Sequence, residues 1–511
     1  MTRPAADAPL LIAVDQGTSA TKAVAVARDG SIVADASVPL AQQHPASGWV
    51  EQDPLEIAQS VVDAVERVLA QIDPARVAGL GLSSQRESAL AWDLETGDPL
   101  GAMLGWQDRR TAATARGLLD AGHGERVRQI TGLPIDPMFS ALKLAWLLDR
   151  HDPDRTRSRA GRLAVGTVDA WLLWRLTGEH RIEAGNASRT QLLDLATADW
   201  SDELLELFGI PREVLPAVVA SDAPSAPVRG IAGLPDGTRI HAVLGDSHAA
   251  LYGHGVRAPG AVKTTYGTGS SVMGLLPEGA DAGRGLARTL AWQIDGEART
   301  AFEGNILATG ATLVWLARLL GSTPAQVMEL AAAAEPGELD LVPAFAGLGA
   351  PWWDEDARAV LVGFDLGAGA GQIARAAAES IVLQVEDVLE AADAAVGTRI
   401  ELVLADGGPS ANPWLMQLQA DLGGRVVRPS AAAELSALGA AHLAGRAVGI
   451  WSDAELAALP RSRAEVAPQL DRASVAARRS RWLDAVARAR TAPVIVPDLL
   501  PVPDPADQPA R

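Results

Sequence analysis

Two stretches roughly 245 residues apart repeat one pattern, and a chain that repeats itself at this scale is built from two related halves. The first, Leu11 to Val26, reads LIAVDQGTSATKAVAV. Four apolar residues, a polar turn with one glycine, then alternating small and apolar residues predict two strands folded back on each other. Asp15, Gln16, Gly17, Thr18, Ser19, Thr21 and Lys22 occupy the tip. Gly17 lets the backbone bend close to an anion, the hydroxyls donate hydrogen bonds, and Lys22 adds a positive point charge. Asp15 would repel a bare phosphate, so its presence makes sense with a Mg2+ ion and its waters in between. The second stretch, Val262 to Ser271, reads VKTTYGTGSS: strand, lysine, hydroxyls and Gly-x-Gly. Either alone is compatible with an ordinary hairpin and a polar turn; the duplication favours a pair of phosphate-binding hairpins.

At 511 residues the chain has room for about two to four domains. Its 48% hydrophobic and 21% charged residues describe a globular, soluble protein. No apolar run approaches the roughly 20 residues of a membrane helix, and MTRPAADAPL lacks the layout of an export signal, so the cytoplasm is the expected setting. Cysteine is absent, which excludes disulfides and thiol nucleophiles. A net charge of −19 excludes nonspecific nucleic-acid binding. It does not exclude a nucleotide, because distant surface acids are screened over about 8 Å at physiological salt. The only lysines are Lys22, Lys143 and Lys263, none preceded by glycine, so a GxxxxGK[ST] phosphate loop is impossible.

Between the hairpins, an apolar strand from Val77 to Leu82 empties into Ser83-Ser84-Gln85-Arg86-Glu87. Ligands bind at such strand ends, and adjacent Arg and Glu can grip hydroxyls from both sides; the alternative is a surface ion pair. Trp106, in LGWQDRR, can present a flat wall to the carbon face of a sugar or polyol, or be simple core. Ser140 is expected to cap a helix, and residues 165–178 to form another with Trp171, Leu172 and Leu176 buried. After a Pro- and Gly-rich loop at 221–237, a strand from Ile240 to Leu244 ends in Gly245-Asp246-Ser247-His248. A carboxylate at that junction is well placed to be a general base; the alternative is a helix N-cap. His248 and His254 lack metal-ligand spacing. A third glycine turn, Gly407-Gly408, follows a strand, and the tail from Ala492 is expected to be extended or disordered.

Two phosphate hairpins and a late Gly-Gly turn resemble the actin-like ATPase fold, and within it the FGGY carbohydrate kinases, most closely the glycerol kinase branch. The stretches that carry the resemblance include DQGTSATK, SSQRES, GWQDRRT, NASRTQLLDL, GDSHAAL, TYGTGSS and ADGGPSANPWLMQLQADL. It implies an α/β fold of two actin-like (ribonuclease H-like) domains with a central cleft, 10–252 holding the acceptor and 258–450 holding ATP, followed by helices and a Pro-rich tail over 451–511. It implies ATP and Mg2+ as cofactors, a small polyol or sugar as partner without nucleic acid or membrane, and a homodimer or homotetramer as candidate assemblies. Carried over by position, Asp246 is the general base, and Arg86, Glu87, Trp106, Met138, Ser247 and Ser271 line the acceptor site. Asp15 faces Mg2+ through water, Thr18, Ser19, Lys22 and Thr268 contact phosphates, and Gly310, Gly408 and Asn412 lie near the adenosine. Met138, Ser247 and Ser271 replace a Tyr, a Gln and a Phe of the glycerol kinase pattern, which puts glycerol itself in doubt; Val314 replaces a Gln and Lys22 an Arg on the nucleotide side. A ketopentose (xylulose- or ribulose-type) kinase and a non-catalytic nucleotide switch are the rival readings.

Overall fold

The opening alternation folds as expected: β1 (Leu10–Gln16) pairs antiparallel with β2 (Ala20–Val26), with Asp15 opposite Lys22. β3 (Ile32–Pro39) continues the meander. Helix α1 (Pro54–Leu69) starts where Asp53 accepts the Leu55 N–H and Pro54 takes the first helical position. It buries Val61, Val65, Val68 and Leu69 against the sheet. β4 (Val77–Ser84) then runs parallel beside β1, and β5 (Ile240–Gly245) parallel beside β4. The first sheet is ordered β5-β4-β1-β2-β3.

The second sheet repeats this path. β6 (Ala261–Tyr266) and β7 (Ser270–Leu275) form the second hairpin. β8 (Ala287–Ile294) and β9 (Glu297–Ile306) extend it antiparallel, while β10 (Leu402–Asp406) and β11 (Val426–Pro429) add parallel strands on the other side of β6. The order is β8-β9-β7-β6-β10-β11, which is the first sheet's order with β8 added at one edge. The molecule, a computed structural model describing residues 8–490, therefore has the expected two-part α/β architecture. The tail expected from Ala492 lies outside the described residues.

Local signals were overridden at two helix starts. In α2 (Ser140–His151) the cap position belongs to Phe139, and the Ser140 hydroxyl instead donates to the Ser88 carbonyl at 2.9 Å. The helix expected over 165–178 is α3 (Val168–Thr177), because Leu163–Gly166 is drawn into antiparallel pairing with Leu90–Asp93; Trp171, Leu172 and Leu176 are buried.

α4 (Asp246–Gly253) leaves β5, and α5 (Gly310–Leu320) starts beside the second hairpin. α6 (Ala370–Val396) and α7 (Pro413–Gly423) cover the second sheet. α8 (Leu435–Ala447) follows that sheet in sequence yet packs on the first one, so the stretch 258–450 lends a helix to the other half. Glycine permits the approach: a Cβ on Gly439 would lie 1.8 Å from the Ala249 carbonyl oxygen, and one on Gly81 would lie 2.4 Å from that of Ala440. This contact clamps α4, which carries Asp246 at its first turn. α9 (Arg472–Ala489) returns to α6, with Trp482 fully buried and its indole N–H on Asp387.

Candidate active site

The end of β4 delivers Arg86 and Glu87 inward, not to the surface: they are 7% and 6% exposed. Their mutual contact is long, 3.9 Å. Arg86 instead donates from Nη2 and Nη1 to the two oxygens of Glu303, at 2.6 and 3.1 Å, and from Nε to Asp246 Oδ1 at 3.1 Å. Glu87 takes the left-handed backbone (φ 58°), strained for a residue with a side chain, and its Oε1 accepts from Arg189 Nε at 2.5 Å. Gly245 occupies the cap position of α4, so Asp246 is the first helical residue and not the N-cap. Its Oδ1 also accepts the Ser247 N–H at 2.6 Å. Among the described residues no hydrogen bond reaches its Oδ2, and the side chain is 39% exposed.

Asp15, at the end of β1, accepts from the Ser83 hydroxyl at 2.8 Å. Burial, and then the nearby charge of Asp246, push its carboxyl up to about 6 against that hydrogen bond. Trp106 is 39% exposed, so it is not core; its indole N–H donates to Thr18 Oγ1 at 3.1 Å and ties the wall residue to the first hairpin. Met138 packs on Leu133, Phe139 and Ala287, and the Ser271 hydroxyl donates to Glu303 Oε1 at 3.2 Å.

Around the second hairpin, the Gly310 N–H donates to the Gly267 carbonyl at 3.0 Å, and a Cβ at Gly310 would lie 2.4 Å from that oxygen. Thr268 lies on the same tip. Gly407 has a positive φ of 86° and no room for a Cβ, which would lie 2.1 Å from the Tyr266 carbonyl oxygen, whereas nothing lies within 4 Å of a Cβ on Gly408, so that backbone faces open space. Asn412 caps α7, its Oδ1 accepting from the Trp414 and Leu415 N–H groups, which leaves its Nδ2 for another partner. Lys22 is engaged: its ammonium donates to both oxygens of Glu434 at 2.9 Å. Ser19 is exposed at the first tip.

Glu303, Arg189, Glu434 and Lys143 escaped the sequence reading. The one signal for Glu303 is an acid set among the small and apolar residues Ala301, Phe302 and Gly304. Lys143 is fully buried and donates to the carbonyls of Gly105 at 2.9 Å and Met138 at 2.6 Å, joining the turn that carries Trp106 to the turn that carries Met138. Burial pulls its ammonium down to about 7, against the carboxylates of Glu87, Asp108 and Asp136. Between about pH 7 and its ordinary 10.5, the unfolded chain holds this proton and the folded chain does not, so stability rises with pH across that window. Lys143→Met is expected to flatten the rise, by at most about 1.4 kcal/mol per pH unit. Denaturant titrations of both proteins from pH 7 to 9.5 check this; parallel slopes would contradict it.

The description "FGGY family of carbohydrate kinases" matches the chain twice, its N-terminal domain over residues 10–253 and its C-terminal domain over 262–448. The chain belongs to the FGGY carbohydrate kinases, phosphotransferases that use ATP and an alcohol acceptor. It is 42% identical over 492 residues to the apulose kinase of Pectobacterium atrosepticum, covering 95% of this chain and 99% of that one. To the glycerol kinase of Alkalilimnicola ehrlichii it is 43% identical over 495 residues, covering 94% and 98%. Among solved structures, Plasmodium falciparum glycerol kinase with ADP superposes with a TM-score of 0.89 at 27% identity, covering 95% of this chain and 99% of that one. No helix among the described residues is long and apolar enough to cross a membrane.

Proposed function

We propose that this kinase moves the γ-phosphoryl group of ATP to a primary hydroxyl of a small polyol or sugar in the cytoplasm, with Asp246 as general base. The observation that carries the reading is the state of that carboxylate. One oxygen is fixed by Arg86 and the Ser247 N–H, while the other has no hydrogen-bond partner among the described residues and the side chain is 39% exposed. A fixed carboxylate with one free oxygen is what a base needs to take the proton of an attacking hydroxyl. Arg86 and Glu87 serve the acceptor's hydroxyls, Trp106 its carbon face, and Met138, Ser247 and Ser271 its far end. The half spanning 10–252 supplies most of this set and the half spanning 258–450 the nucleotide site. Thr18, Ser19, Lys22 and Thr268 hold phosphates, and Gly310, Gly408 and Asn412 face the adenosine. Lys22 is 43% exposed, so exchanging Glu434 for a phosphate oxygen costs it little.

Mg2+ fits the donor set. Among the described residues no group of three or more His, Cys, Asp or Glu side chains could cage a metal ion. Mg2+ keeps several waters and is held by one or two carboxylates plus substrate phosphates, which leaves Asp15 as the residue to hold it through water. Burial first, and then the charge of Asp246, raise the Asp15 carboxyl, and a nearby cation would offset both. When bound, the ion neutralises charge on the phosphates. The protein's own contribution is positioning: Asp246 and Arg86 align the hydroxyl, the two hairpins align the phosphates, and closure of the halves keeps water from competing as acceptor.

The relative named apulose kinase supports a ketose as second acceptor class, while the SQRES and WQDRR stretches favour the polyol. A nucleotide switch would leave Arg86, Glu87, Trp106 and Asp246 without a task. ADP release measured over three- to six-carbon polyols and ketoses tests the reading: one acceptor class should accelerate it strongly. Slow release indifferent to every acceptor would support the switch.

A further inference from the structure

The acceptor residues converge on a side chain that belongs to the other half. Glu303 sits on β9 of the second sheet and is 1% exposed. Its Oε1 accepts from Arg86 Nη2 at 2.6 Å and from the Ser271 hydroxyl at 3.2 Å. Its Oε2 accepts from Arg86 Nη1 at 3.1 Å and lies 2.9 Å from Arg189 Nη2. Arg86 then presents Nε to Asp246, and Arg189 presents Nε to Glu87. The result is a chain of alternating charge, Asp246–Arg86–Glu303–Arg189–Glu87, buried except at the half-exposed Asp246 end, with the carboxylates assigned to the acceptor at its two ends. The register explains how a residue so far along the chain reaches it: Glu303 pairs across Met273 with Lys263, so all three lie in one row across the second sheet, with Met273 in the core beneath α4 and α8.

We propose that Glu303 is a positioning residue for phosphoryl transfer: from the nucleotide half it locks the orientation of Arg86 and Arg189, and through them sets Asp246 and Glu87 for the acceptor. The proposal rests on the reading of Asp246 as base. With both η-nitrogens on Glu303, Arg86 meets Asp246 through Nε alone, and among the described residues no hydrogen bond reaches Oδ2. Without Glu303, two buried guanidiniums lose the carboxylate they share, and the η-nitrogens of Arg86 are released to cover Asp246. The titratable and charged groups around Glu303 are Arg86 and Arg189, Lys263 from β6 and His248 from α4. Burial works against ionisation of Glu303, but Arg189 and Arg86 outweigh it and hold the carboxyl below its ordinary range, so it stays charged at working pH. Because Glu303 lies on the sheet that also bears the second phosphate hairpin, the acceptor site is complete only with both halves in register.

The test compares Glu303→Gln and Glu303→Asp with the wild type, using the acceptor that gives the fastest ADP release. Glu303→Gln is expected to lose about 10–100-fold or more in acceptor kcat/KM, with the KM for ATP unchanged. Glu303→Asp keeps the charge and should recover part of the loss, a rescue that simple packing would not give. Should Glu303→Gln not fold, Glu303→Asp alone decides: acceptor KM must rise while the KM for ATP does not. Unchanged acceptor kinetics, or a parallel loss toward ATP and acceptor, would overturn the proposal. If wild-type ADP release ignores every acceptor, it is the kinase reading that fails, not this inference alone.

Discussion

Asp246→Asn is expected to slow turnover by about 10²–10⁴-fold, the range for losing a positioned general base. The substitution isolates chemistry from architecture. Asn fills the same volume, its amide oxygen can still accept from Arg86 Nε and the Ser247 N–H, and the start of α4 stays clamped by the glycine contact of α8 on Ala249. What disappears is the capacity of the second oxygen to take a proton. The melting temperature and the acceptor affinity by calorimetry should therefore change little while kcat collapses. A near-normal kcat would leave Asp246 as an ordinary first-turn acid, a favourable charge at a helix N-terminus and nothing more.

The second large effect is expected in acceptor choice: kcat/KM for a four- or five-carbon polyol should exceed that for glycerol by about tenfold or more. Met138 is an adaptable side chain that packs against Leu133, Phe139 and Ala287. Ser247 and Ser271 are short where the glycerol kinase pattern has larger side chains, which under the proposed reading leaves room for a longer acceptor. The structure separates their roles. The Ser271 hydroxyl is committed to Glu303, whereas no hydrogen bond involves the Ser247 hydroxyl among the described residues. Ser247 is thus the group to meet an extra substrate hydroxyl. A polar site left unpaired by a shorter substrate rejects it more firmly than a missing methylene, which alone is worth about 1–3 kcal/mol. Glycerol, erythritol, threitol and the pentitols compared under one set of conditions decide the matter. A tenfold preference for glycerol would mean that neighbouring side chains close the space.

What the sequence showed and hid follows the range of the interactions. Both hairpins, the β4 end and the strand-to-helix junction at Asp246 are local patterns, legible because period and turn chemistry specify them within about ten residues. The partners that give those residues their geometry are remote. Arg86 meets Glu303 across 217 positions, Lys22 meets Glu434 across 412, and Arg189 meets Glu87 across 102. No spacing rule reaches that far. Ser140 shows the same limit at short range, where a tertiary acceptor on Ser88 outcompeted the local cap. That α8 packs on the first sheet depends on Gly439 and Gly81 being bare, which sequence displays only as two glycines among 49.

The transfer itself is read most directly from the product, by proton-coupled phosphorus NMR of ATP incubated with the enzyme and its fastest acceptor. A base that admits a primary hydroxyl predicts one phosphomonoester per ADP formed, its phosphorus signal split into a triplet by the two protons of a CH2–O–P group. An inorganic phosphate singlet as the main product, or a doublet from a secondary carbon, would contradict the account.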